Sequence, residues 1–287
     1  MSVILNKINS AFEYSFVRFL QLMLGLLTYR RISDAGALAG LFFEYIGIRK
    51  KVAVENILRS NLNITLVKAP QLVSDNYKHL GRTFFELLAL DRIDLKQDRD
   101  YELILPDRFY DCISSGAIFV SAHIGNWELM GKILFEKRIP MAVVVKHQQN
   151  EKIDGLINRQ REKAGMVVVY ENEIMKLRRL IEDKYCIALL SDQDFGDNTV
   201  PVNFLGHSCF ATEGPVYLAN KFQVPVFVCF AIRQNTYFHR FEIKSFELNT
   251  SLSMDEQVQS YTTEIEKIVT AYPDQWLWHH RRWKVHA

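Results

Sequence analysis

The sequence predicts an α/β protein, a central mixed sheet flanked by helices, preceded by an N-terminal helical arm associated with a membrane. Three observations carry that expectation. After Gly116, short apolar, β-branched runs alternate with segments of helical period, the pattern of a sheet layered with helices. Before Leu90 the apolar positions recur near every 3.6 residues, and no strand-like alternation interrupts them. Hydrophobic residues make up 48% and charged residues 24% of the 287, a balance that supplies a core and excludes a disordered or fibrous chain.

In chain order, FEYSFVRFLQLMLGLL (Phe12 to Leu27) is mostly apolar, yet its 16 residues cover only about 24 Å of a hydrocarbon core about 30 Å thick. Glu13, Arg18 and Gln21 interrupt it, so a snorkelling short span or an in-plane interfacial helix fits better than an ideal transmembrane helix. Arg30 and Arg31 just beyond it suit anionic headgroups. A buried core helix is the competing reading. The apolar character continues from Ala35 to Ile48, and Leu72, Leu80, Phe84, Leu87 and Leu88 mark a further helix. Asp91 to Asp100 is polar and reads as a connection. Strands are expected at AIFVSA, MAVVVK, CIALLS, VPVFVCFAI and YFHRFEI, and helices over 126–137, 150–163, 171–184, 212–222 and 254–272. The division that follows is a membrane-associated helix over 1–31, a helical arm over 32–115 and an α/β core over 116–287.

The net charge of +2 gives no sign of a nucleic-acid partner. Local clusters say more. Arg49, Lys50 and Lys51 form one, and His279, His280, Arg281, Arg282 and Lys284 another, interleaved with Trp276, Trp278 and Trp283. The second suits a lipid phosphate, bound by His280 and Arg282, with Trp278 and Trp283 anchored at the interface; core packing of the tryptophans is the competing reading. Cys112, Cys186, Cys209 and Cys229 are scattered with no C-x-x-C pair, so neither a disulfide framework nor a metal site is suggested. The start lacks a cleavable signal peptide, which directs the active domain to the cytoplasmic face.

The sharpest local feature is SAHIGNWELMG, Ser121 to Gly131, where an apolar strand passes into an amphipathic helix. Catalytic groups in open α/β sheets sit at such strand ends. His123 falls at the strand exit, Gly125 permits a tight turn, Asn126 suits a helix N-cap, and Glu128 falls in the first turn. A strand-turn-helix geometry lets the Glu128 carboxylate fold back on the imidazole and fix its tautomer. The sequence has no G-x-S-x-G elbow, so the substrate is expected to supply the hydroxyl and His123 to act as general base.

IFVSAHIGNWELMG resembles the His-x4-acid block of the bacterial lipid A late acyltransferases, a family that includes lauroyl and myristoyl transferases and phosphatidylinositol mannoside acyltransferases. NYKHLGRTFFELL, with Arg82 and Glu86, is similar to the family's upstream helix. RQREKAG resembles its Arg-x3-Gly segment, LLSDQDFG its Asp-Gln block, VNFLGHSCFATEGP its Phe-Phe-Gly and Thr-x-Gly block, and QWLWHHRRWK its C-terminal signature. Lys146-His147-Gln148 departs from the Tyr-Arg-Pro of many members and weakens any transfer of acceptor specificity.

The resemblance implies a glycerolipid acyltransferase-like fold and transfer of an acyl chain from acyl carrier protein or acyl-CoA to a glycolipid hydroxyl at the inner membrane, with no cofactor and no metal. It implies His123 as base with Glu128 as its partner. Arg161 becomes a candidate cation for the oxyanion or acyl donor; Asn126, Asp192, Gln193 and Asp194 become candidates for positioning the acceptor or bracing the His123 loop. Lys176, Arg178, Arg179 and Lys184 offer a face for an acidic carrier protein. Other glycolipid or aminolipid acceptors, a thioesterase or lipid hydrolase, and a non-catalytic lipid-binding protein are the alternatives.

Overall fold

The computed structural model describes residues 2–194 and 198–283, with side chains from residue 10 onward. Lys284 of the C-terminal cluster, with Phe195 and Gly196, lies outside the described residues. Four helices come first: α1 (Ser2–Leu24), α2 (Tyr29–Tyr45), α3 (Lys50–Arg59) and α4 (Ala69–Leu88). Then follow β1 (Tyr101–Ile104), α5 (Phe109–Cys112), β2 (Ala117–Ser121), α6 (Trp127–Glu136), β3 (Met141–Val145), α7 (Glu151–Lys163), β4 (Val167–Tyr170) and α8 (Ile174–Glu182). The chain continues through β5 (Cys186–Leu190), β6 (Thr199–Phe204), β7 (His207–Thr212), α9 (Gly214–Phe222), β8 (Val226–Arg233), β9 (His239–Phe246) and α10 (Met254–Ala271).

Seven strands form one mixed sheet in the order β1-β9-β8-β2-β5-β3-β4, in which β8 and β9 are the antiparallel neighbours. Its centre, β2, is buried along its whole length and reads as the continuous apolar run that a strand covered on both faces requires. One core layer lies on each face of this sheet. One gathers Ile118, Val120, Val228 and the three C-terminal tryptophans. The other gathers Phe119, Phe227 and Leu129 with Leu88 of α4. The hairpin β6–β7 stands apart as a two-stranded ribbon.

The arm reaches the core through α4, whose buried face carries Val73, Tyr77, Phe85 and Leu88. Backbone contact packs α2 against it, since a Cβ built on Gly81 would lie 2.1 Å from the Gly36 carbonyl oxygen. The five strands expected in the core all form, at β2, β3, β5, β8 and β9. β1 joins the sheet edge from residues read as arm, and β4 extends the other edge.

Candidate active site

His123 and Asp192 meet because their strands are neighbours in register. β2 and β5 run parallel with Ser121 opposite Leu190, so the residues two positions past each strand end emerge side by side. Asp192 Oδ1 lies 2.8 Å from His123 Nδ1, and its other oxygen accepts the indole N–H of Trp276 at 2.8 Å. Burial alone would raise the Asp192 carboxyl; the charge and hydrogen bond of His123, with the Trp276 bond, outweigh it and hold the carboxyl below its ordinary value. The Gln193 amide approaches the same imidazole nitrogen at 3.2 Å. Asp194 is partly buried and ends the described part of this loop.

The turn after His123 is fixed from three sides. Gly125 has φ +64°, and a Cβ there would lie 1.7 Å from the Ala231 carbonyl oxygen, so glycine is required. Its N–H donates to Gln275 and its carbonyl accepts from His79 at 3.0 Å, while the His123 carbonyl accepts from Leu277. Asn126 caps α6 through Leu129 N–H and donates to Glu86 at 2.6 Å. Glu86 in turn receives Arg233 at 2.6 Å, an ion pair buried beneath the turn. Asn126 is thus buried and braces the loop.

Glu128 differs from expectation. Its carboxylate does not fold back on the imidazole; Arg161 of α7 holds it instead, with Nε at 3.0 Å and Nη2 at 2.6 Å, and Trp127 donates to it at 3.0 Å. No hydrogen bond joins His123 to Glu128 among the described residues, because the first turn of α6 aims the carboxylate across the cavity toward α7. Burial would lower the Arg161 guanidinium, but the Glu128 charge prevails and raises it. Arg161 also donates to Asn158, and Asn158 with Asp154 holds the Tyr170 hydroxyl.

His123, Glu128 and Arg161 line one cavity of about 350 Å³. Its interior is apolar, walled by Phe119, Met130, Leu134, Met141, Met166 and Cys229. Lys146, His147 and Gln148 line its rim, with His147 stacked on Tyr170 at 3.7 Å. The loop that departs from the family pattern therefore borders the same opening.

Two expectations at the C-terminus are corrected. Trp278 is fully buried and its indole donates to the Pro273 carbonyl, so it packs the core and does not anchor at an interface. Arg282 is 3% exposed, donates to the Phe210 carbonyl and lies over the Phe204 ring, a brace for the hairpin out of reach of a surface phosphate. His280 is partly buried, and its carbonyl accepts from Asn56. On the proposed carrier face, Lys176 and Arg178 pair with Glu173 and Glu182.

No curated protein matches the sequence. A family model described as bacterial lipid A biosynthesis acyltransferase matches residues 6–285. With nearly the whole chain matched, and with His123, Glu128 and Arg161 lining one apolar cavity and Asp192 bonded to His123 behind it, the chain belongs to the bacterial lipid A biosynthesis acyltransferase family.

Proposed function

We propose that the chain transfers a fatty acyl group from a thioester of acyl carrier protein or coenzyme A to a hydroxyl of a lipid A precursor, with His123 as general base and no acyl-enzyme. The observation that carries this reading is the His123–Asp192 contact at the edge of an apolar cavity. Nδ1–H donates to Asp192, which leaves Nε2 as the acceptor for a substrate proton. The acceptor oxygen attacks the thioester carbonyl carbon as Nε2 takes its proton. Arg161, a cation in the cavity wall, stabilises the oxyanion. Collapse breaks the carbon–sulfur bond, and the imidazolium returns its proton to the departing sulfur, giving an ester and a free thiol. Glu128 acts through Arg161, setting the guanidinium with two hydrogen bonds.

The side chains around the cavity favour a nucleophile brought by the substrate. Ser121 donates its hydroxyl to the Cys229 carbonyl at 2.6 Å, and burial pushes the Cys229 thiol well above its ordinary value. The apolar interior suits an alkyl chain.

Membrane association rests on an exposed apolar stripe: Phe12 is 74% and Phe16 59% exposed, and Phe19 and Met23 continue it. No helix of the described residues is long and apolar enough to cross a membrane, and an in-plane α1 fits this amphipathic pattern.

The test is transfer from labelled acyl carrier protein to a tetra-acylated lipid A precursor in detergent micelles. His123→Ala is expected to lower the rate by about 10³-fold or more with the fold intact. Undiminished transfer by that variant would refute the mechanism, and transfer only to another glycolipid would reassign the acceptor.

A further inference from the structure

A second, polar cavity of about 430 Å³ lies between α1 and α7, walled by Tyr14, Arg18 and Gln21 on one side and by Arg159, Gln160 and Lys163 on the other. It is distinct from the catalytic cavity, since Arg161 points from another side of α7. Its walls are pinned at both ends. Asn150 donates to the Ser10 carbonyl at 3.0 Å and to Glu13 at 2.9 Å, and Gln21 donates to the Leu88 carbonyl at 3.2 Å.

The charge in this groove is one-sided. Arg18 donates to Gln21 and Arg159 has no acidic partner among the described residues, while Lys163 reaches Asp91 at 3.6 Å. Gln160 is buried, and its Oε1 has no hydrogen-bond partner. A half-turn of its amide presents an N–H donor in place of that oxygen. Two guanidiniums with no carboxylate partner among the described residues, an ammonium, an amide and a phenol make a donor-rich recess for a small polyoxygen anion, and forked guanidiniums match phosphate geometry.

The position of the groove on α1 indicates where that anion comes from. Tyr14, Arg18 and Gln21 follow a 4,3 spacing, and Phe12, Phe16, Phe19 and Met23 follow a 4,3,4 spacing on the opposite face of the helix. An amphipathic helix buries its apolar face about 5–10 Å into the acyl boundary, and a helix is about 10–12 Å across, so its opposite face sits at headgroup level. We propose that the groove between α1 and α7 binds the phosphate of a membrane lipid headgroup through Arg18, Arg159 and Lys163. The site seats α1 at the membrane and is separate from the reacting centre.

The test measures partition of the full chain onto phosphatidylcholine vesicles, plain or containing phosphatidic acid, and onto vesicles carrying oleate at matched surface charge. The double variant Arg18→Gln with Arg159→Gln is compared with Lys244→Gln with Lys267→Gln, which removes equal charge outside the groove. The groove variant is expected to lose about 10- to 30-fold in binding to phosphatidic acid vesicles, with less than about 3-fold change for the control pair and for oleate vesicles. Equal loss in both variants, equal loss on oleate, or no loss in the groove variant would overturn the proposal. A titration with inorganic phosphate separates the sources. Binding of inorganic phosphate that the groove variant abolishes, with vesicle binding unchanged, would make this a site for free phosphate and overturn the lipid assignment.

Discussion

Asp192 divides its carboxylate between two donors, one oxygen 2.8 Å from Nδ1 of the partly buried His123 and the other 2.8 Å from Nε1 of the buried Trp276. The indole lets the carboxylate remain charged in the interior, and the charged carboxylate holds the imidazole proton on Nδ1.

Asp192→Asn keeps the shape and removes that preference, because an amide can donate to Nδ1 and leave the proton on Nε2. The expected result is a fall in kcat of about 10²–10⁴-fold with little change in KM. Steady-state kinetics on the purified variant check it, with circular dichroism to establish that the fold persists; activity within 3-fold of the parent would remove Asp192 from the mechanism.

Glu128 and Arg161 are expected to behave as one unit. A double-mutant cycle on kcat/KM between Glu128→Ala and Arg161→Ala should show strong non-additivity, because either change already disrupts the pair. Arg161→Lys keeps the charge but loses the two-point contact, and a drop of about 10²-fold is expected. If the coupling of Glu128 runs to His123 and Arg161 is additive with both, Glu128 orients the base after all.

The comparison of sequence with structure turns on what is local. The strand at Ala117–Ser121, its exit at His123 and the cap at Asn126 were legible because each depends on residues within one turn. The partner of His123 was not, since Asp192 is adjacent only through the register of β2 and β5, and Glu128 was the nearer acid in the chain. The hairpin β6–β7 is harder to read: Gly206 (φ +81°) supplies the second tip position, but Leu205 takes φ +50° at the first, where turn chemistry leads one to seek Asn or Gly. Trp278 and Trp283 suit either an interface anchor or the core on sequence alone; the structure buries both, with Trp276, because each indole N–H finds a carbonyl or carboxylate partner there.

The Glu86–Arg233 pair lies beneath the turn that follows His123, and Glu86 also fixes the side chain of Asn126. Glu86→Leu alone leaves the Arg233 charge buried without its carboxylate, an expected loss of about 3–5 kcal/mol. Glu86→Leu with Arg233→Met removes both charges and should recover most of that stability. Urea unfolding of the three proteins decides it: a double variant no more stable than the single one would contradict this account. Activity in the double variant should stay low, because Asn126 has lost its acceptor.

Acid stability is expected to depend on histidines outside the chemistry. Burial pushes His79 down to about 3, with Arg233 adding to the effect, and pushes His279 down to about 4, helped by Arg49. His239 also lies well below its ordinary value. All three are neutral when folded and take a proton near pH 6.5 when unfolded, so the unfolded state binds more protons below that pH. Stability is therefore full above about pH 6.5 and declines as the pH falls toward the folded values, by up to about 1.4 kcal/mol per pH unit for each group. Asp192 works in a lower window, because its depressed carboxyl contributes above the ordinary Asp value and loses that contribution only below it. His279 isolates the effect best. Its ring packs edge-on to Tyr77 at 4.4 Å, and neither ring nitrogen has a partner among the described residues. His279→Phe keeps the ring and deletes a buried polar group that gains no hydrogen bond, so it should cost little or even stabilise at pH 7. Urea midpoints measured from pH 7 to pH 5 should then fall less steeply than in the parent, by close to one proton's worth of slope; an unchanged slope would mean that His279 is solvated or paired when folded.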